Sequence, residues 1–170
     1  MNSSPLVLER CQHGGEPDET RACFGEAGHG VYAYVPNSAM RQYYSAKGED
    51  VYRLTHKQGE IVDFLAGDAM SALLAHARSH FKKTAEQMPG YQMPEVSSSS
   101  IQRYGSVIEH YVRLHHPDAV AYLVCHKGPG IPTGIQAVIR RMDAFEVEAD
   151  QIISQKNIHT QHSSTKGSRP

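Results

Sequence analysis

Residues 28–43 read GHGVYAYVPNSAMRQY, and the reading of this stretch organises the whole chain. Its part from 30 to 35, GVYAYV, is β-branched and aromatic and predicts a strand. Pro36 stops the strand, and Asn37 or Ser38 can accept from the free amides of a short helix running to about Ala46. A glycine-rich strand therefore feeds directly into a helix, with Tyr32 on the first and Tyr43 and Tyr44 on the second.

Working outward toward the N-terminus, PLVLE at 5–9 predicts a short strand, His13-Gly14-Gly15 a turn, and the polar run 16–21 a mobile loop. Toward the C-terminus, DVYRLT (50–55) and EIVDFL (60–65) flank Lys57-Gln58-Gly59, which suggests a hairpin or a strand and its return. Asp68 then opens a long helix whose apolar positions Met70, Leu73, Leu74, Ala77 and Phe81 share one face. After the Pro/Gly segment 88–94 and a serine run, Ile101, Tyr104, Val107, Ile108, Tyr111 and Val112 mark a second helix face that Pro117 terminates. AVAYLVC (119–125) is apolar throughout, as a strand buried on both faces is. A Gly/Pro loop over 128–134 precedes a strand over 135–140, and Phe145-x-Val147 suggests a last edge strand. Strands, then helices, then strands argue for an α+β fold: a small split sheet, mixed or antiparallel, with two or three helices. Residues 1–154 read as one domain and 155–170 as a disordered polar tail.

The chain has 170 residues and a formal net charge of −1, so no global field draws nucleic acid or an anionic membrane to it. No apolar run approaches the roughly 20 residues that span a bilayer. Cys11, Cys23 and Cys125 form no C-x-x-C pair, which suits a reducing compartment better than a disulfide framework. The start MNSSPLVLER lacks the basic-then-apolar plan of a signal peptide, so a cytoplasmic location is expected, with a secreted effector as the other possibility. His76 and His80 lie four apart, but Ala77 stands where a zincin has glutamate, and no histidine shows ligand spacing with cysteine or aspartate. No metal is expected.

Gly28-x-Gly30-x-Tyr32 followed by Tyr43, eleven residues on, resembles the ADP-ribosyltransferase superfamily, in its poly(ADP-ribose) polymerase and diphtheria-toxin branch. The resemblance covers about 16 residues well and the order of elements loosely. It implies that NAD⁺ is the substrate. Tyr32 and Tyr43, with Tyr44 as alternative, would frame the nicotinamide, a flat aromatic cation that ring faces attract. Gly28 and Gly30 would let the backbone approach it. His13-Gly14 would fill the first-strand slot, His13 on a ribose hydroxyl and Gly14 on the carboxamide, with Arg10 as the rival. Gln136 falls where the family has a glutamate on a late strand, and Met40 where it often has a serine, Ser38 being close but out of register. Glu146-x-Glu148 resembles the Glu-x-Glu of another branch but lies beyond the expected strand. An amide at 136 keeps a hydrogen bond to ribose and loses the charge that favours an oxocarbenium-like transition state. The implied function is thus a mono-ADP-ribosyltransferase with a protein acceptor, rather than nucleic acid, in a toxin, an effector or a phage counter-defence protein. The alternative is the same fold with an inactive site, working as a binding or inhibitor protein. A third reading makes the tyrosines ordinary core residues.

Overall fold

The computed structural model describes residues 3–46 and 50–150, and the polar tail expected over 155–170 lies outside them. The strands are β1 (Val7–Gln12), β2 (Cys23–Gly25), β3 (Gly28–Tyr34), β4 (Asp50–His56), β5 (Ile61–Asp63), β6 (Ala121–Gly128), β7 (Ile131–Ile139) and β8 (Phe145–Ala149). The helices are α1 (Ser38–Ser45), α2 (Gly67–Gln87) and α3 (Gly105–His115). The strands lie in the order β5-β6-β7-β3-β1-β4-β8, with β2 paired to β3 outside this path. Every pairing is antiparallel except β5 with β6, which are parallel and joined by the long crossover that contains α2 and α3. The fold is α+β with a mixed sheet.

The sheet is split between β1 and β3. These two strands share one register pair, Glu9 with Tyr34, whereas β1 follows β4 from Val7–Thr55 through Gln12–Asp50. Two cores result. Side chains alternate along β6, so Tyr122 and Val124 join Val62, Phe64, Leu73, Phe81, Ile108 and Val112 beneath α2 and α3. Ala121 and Leu123 face the other way, where Val31, Ala33 and Ile139 meet Leu8, Leu54 and Phe145.

Several expectations shift. The segments 50–55 and 60–65 do not form a hairpin: β4 sits between β1 and β8, and β5 at the far edge beside β6. The reason is core membership, since Leu54 belongs to one core and Val62 and Phe64 to the other. α2 begins after Ala66 with no side-chain cap, and Asp68 lies within its first turn, where a carboxylate complements the helix dipole. The second helical stretch is broken into a 3₁₀ turn at Ile101–Arg103 and α3. The three-residue strand β2 follows the predicted loop and was not anticipated. No helix among the described residues is long and apolar enough to cross a membrane.

Candidate active site

Strand alternation gathers the site. Register pairs Tyr32 with Val138 and Tyr122, Tyr34 with Gln136 and Val124, and Gly134 with His126. Because side chains two apart share a face, Tyr32, Tyr34, Gln136 and His126 all stand on the side that also carries Val124 and Val138. Over this end of the strands α1 replaces α2 and α3 as the cover. Three local features dock it. The Asn37 side chain accepts from the amides of Ala39 (2.9 Å) and Met40 (3.3 Å), which caps the helix. Met40 is fully buried against Gly134 of β7. Arg41 donates from Nε and Nη2 to both carboxylate oxygens of the buried Glu9 on β1, a bidentate ion pair.

Held this way, α1 brings Tyr43 and Tyr44 onto the split. The cleft there has an inner part of about 50 Å³, lined by Arg10, Cys11, Tyr32, Ala33, Tyr34, Tyr44 and Gln136. An outer part of about 260 Å³ is lined by Glu26, Tyr32, Tyr43, Tyr44, Gln102, Cys125, His126, Lys127, Ile131 and Gln136. Tyr32, Tyr44 and Gln136 border both. Tyr44 stacks on Tyr34, with ring centroids 5.4 Å apart and planes 11° from parallel, and Tyr43 meets Tyr44 edge-on at 5.1 Å. Burial raises the Tyr44 hydroxyl above the ordinary tyrosine range, Tyr43 adds to this, and a hydrogen bond from Gln136 acts against it. Burial also raises Tyr34, reinforced by its contact with the Cys11 thiol at 3.3 Å, and lifts Tyr32 to about 12.

Arg10 is the cation of the inner cleft. Its Nε donates to Gln12 Oε1 (2.6 Å) and its Nη1 to the Tyr32 carbonyl (2.5 Å), and among the described residues it has no carboxylate partner. Burial pulls it down from the usual arginine range, but a guanidinium stays protonated in proteins. A half-buried, unneutralised guanidinium with spare N–H groups is a receptor for an anion or a carbonyl. On the opposite wall, His126 is fixed in orientation. A carbonyl can only accept, so His126 Nδ1–H donates to Pro132 O (2.7 Å), and Nε2 then accepts from the Tyr44 hydroxyl (2.8 Å). Gln102 is buried on the outer part. Its amide donates to Ser99 O (2.6 Å), and its Oε1 has no hydrogen-bond partner.

Of the residues expected from the sequence, Tyr32, Tyr43, Tyr44 and Gln136 come together on the cleft. The others do not line it. His13 is exposed just past the end of β1, and Arg21 donates to the carbonyls of His13 and Gly14, holding that turn outside. Arg10, the rival, takes the place on the cleft. Gly28 and Gly30 are demanded by packing. A Cβ on Gly28 would overlap the Tyr122 hydroxyl, and one on Gly30 would lie 2.6 Å from the Ile139 carbonyl of the neighbouring strand. Ser38 is exposed at the start of α1. The rings that stack are Tyr34 and Tyr44, with Tyr32 instead donating to the Gly28 carbonyl (2.5 Å). Tyr34 and His126 were missed. The available signal was alternation, since 32, 34 and 136 on one face predict that the polar residue at the end of the 122–124 face joins them.

Among the described residues no group of three His, Cys, Asp or Glu side chains is arranged to hold a metal. No family model matches the chain, and no curated protein matches it. A solved structure of an anti-CRISPR protein is similar at 16% identity and a TM-score of 0.43, over 86% of this chain and 96% of that one.

Proposed function

We propose that the protein is an NAD⁺-dependent mono-ADP-ribosyltransferase of the superfamily that its Gly-x-Gly-x-Tyr segment resembles, acting on a protein acceptor. The observation that supports this reading is the convergence, at the split of the sheet, of Tyr32, Tyr44, Gln136 and the unneutralised Arg10, drawn from four separate elements. Aromatic faces suit a flat cationic ring, and the guanidinium suits the pyrophosphate or carboxamide attached to it. Gln136 would orient the nicotinamide ribose as it leaves. Tyr34 and Tyr44 are stacked on each other at 5.4 Å, and a ring between them needs about 7 Å, two van der Waals separations. That stacked pair is therefore closed to the ring, and the nicotinamide has the outer part of the cleft, beside Tyr32 and Tyr43.

Catalysis in this reading is positioning and electrostatic support of a cationic sugar. The neutral Gln136 weakens the second component, and that residue favours the other reading, a cleft that binds without turnover and serves as an inhibitor or adaptor. Thermal shift with NAD⁺ and assay of nicotinamide release test both. The transferase reading expects a shift and release, both removed by Tyr44→Ala. A shift with release only in Gln136→Glu means a degenerate site. No shift with NAD⁺ refutes the proposal.

A further inference from the structure

We infer that Tyr44 and His126 form a proton-accepting pair for the incoming nucleophile, in place of the carboxylate that β7 lacks. This rests on the transferase reading and adds a catalytic base to it. The geometry carries the inference. His126 is 8% exposed, and its Nδ1–H is committed to the Pro132 carbonyl at the far end of the β6–β7 hairpin. That commitment fixes the tautomer and aims the Nε2 lone pair at the Tyr44 hydroxyl, 2.8 Å away. Tyr44 in turn borders both parts of the cleft beside Gln136. A carbonyl orienting an imidazole, and the imidazole facing a hydroxyl on the substrate cleft, repeat the nucleophile–base–orienter logic of activated hydroxyl groups. The inner cleft itself is lined by no carboxylate, and Glu26 borders only the outer part and is exposed.

The bond between nicotinamide nitrogen and ribose C1′ breaks, and its electron pair leaves with neutral nicotinamide. A lone pair of the acceptor atom bonds to C1′. The proton of that atom passes to Tyr44 Oη while the Tyr44 proton passes to His126 Nε2, and the imidazolium later yields it to solvent. Tyr44 is the residue that touches the reacting atoms, and His126 acts through it. The other titratable or charged groups around the pair are Tyr43 on α1, Arg10 and Cys11 on β1, Tyr32 and Tyr34 on β3, Glu26 between β2 and β3, and Cys125 and Lys127 on β6.

The test uses the full chain with NAD⁺ and water as acceptor, following nicotinamide release across pH with thermal shift alongside. His126→Gln can keep both hydrogen bonds, through its amide N–H and carbonyl, but cannot take a proton. It should bind NAD⁺ normally and lose about 10²-fold in kcat, the lower range for general base catalysis. The wild-type rate should fall on acidification, as it does when a general base is protonated, and this limb should be absent in His126→Gln. Tyr44→Phe, which retains the stack on Tyr34, should lose the same limb. An unaltered pH profile and rate in both variants overturns the base pair and leaves the transferase reading standing. Absence of NAD⁺ binding in the wild type overturns that reading and the pair together. ¹⁵N resonances of His126 give a readout independent of turnover: protonation on Nε2 instead of Nδ1 overturns the pair directly.

Discussion

Gly28→Ala should unfold much of the molecule's margin of stability, because the glycine of the motif is a packing requirement. The new Cβ would overlap Oη of Tyr122, a ring that is 1% exposed and closed in by Phe64 at 5.9 Å. Moving that ring costs about 1–3 kcal/mol, as overpacking does. It also breaks the bond from Tyr122 to the Ala27 carbonyl (2.7 Å), worth about 1 kcal/mol. Gly28 has a φ of +122°, a region that costs a non-glycine residue about 1–3 kcal/mol. The total is about 5 kcal/mol against a domain stability of about 5–15 kcal/mol. It should lower the urea midpoint by about 2.5 M, at a slope near 2 kcal/mol per M. The chain has no tryptophan, so circular dichroism is the probe. The decisive variant is the double mutant Gly28→Ala/Tyr122→Phe. Removing Oη leaves the Tyr122 ring carbon Cζ 3.5 Å from the new Cβ, an ordinary contact. The double mutant should therefore be about 2 kcal/mol more stable than the sum of the singles requires, a coupling well above the additivity error. Additive singles and double would refute the packing argument and return Gly28 to a ligand role.

Other perturbations reach the rest of the site. Arg41→Met leaves Glu9 buried without a partner and should cost about 2–4 kcal/mol, the figure for a broken buried pair reduced because Arg41 itself is 40% exposed; a loss under about 0.5 kcal/mol in urea melts would mean that α1 is docked by Met40 alone. Arg10→Met should abolish the thermal shift with NAD⁺ while the far-ultraviolet spectrum stays native, and His13→Ala should leave the shift intact; the reverse pattern would restore His13 to the site. His76, stacked on His110 at 5.3 Å, is held below the usual histidine range by burial and by His110, His115, His80 and Lys83. The unfolded chain then binds the proton more readily, so stability should be full above about pH 7 and fall as pH drops through the ordinary imidazole range near 6.5; His76→Phe should flatten that decline in melts between pH 7 and 5, and an unchanged decline would assign it to other groups. Cys23 is exposed, whereas burial pushes the Cys11 thiol up, so a maleimide at neutral pH should label Cys23 well before Cys11, as peptide mapping would report.

The elements and the class of fold were legible in the order of residues along the chain. Alternation and turn residues placed β3, β4, β6 and β7 to within a few positions, and the 3.6-residue spacing of Leu73, Ala77 and Phe81 identified the buried stripe of α2. These signals are local: one strand or one helix turn carries each of them. The pair Tyr32/Tyr43 and the strand of Gln136 were legible for the same reason, since a short segment contains the pattern. Which residues meet was decided by the tertiary structure. β5 leaves β4 for the far edge because Val62 and Phe64 are buried beneath α2 and α3, and no property of residues 57–59 encodes that. The parting of β1 from β3 after Glu9–Tyr34 turns Arg10 toward the cleft, while Arg21 holds the His13 turn outside it. The union of Tyr44 with His126 depends on the seating of α1 by Glu9 and Gly134 and on the register of β6 against β7. Residues 44 and 126 are neighbours only once the sheet is assembled, because long-range pairing arises from burial shared across elements and not from the preferences of either segment.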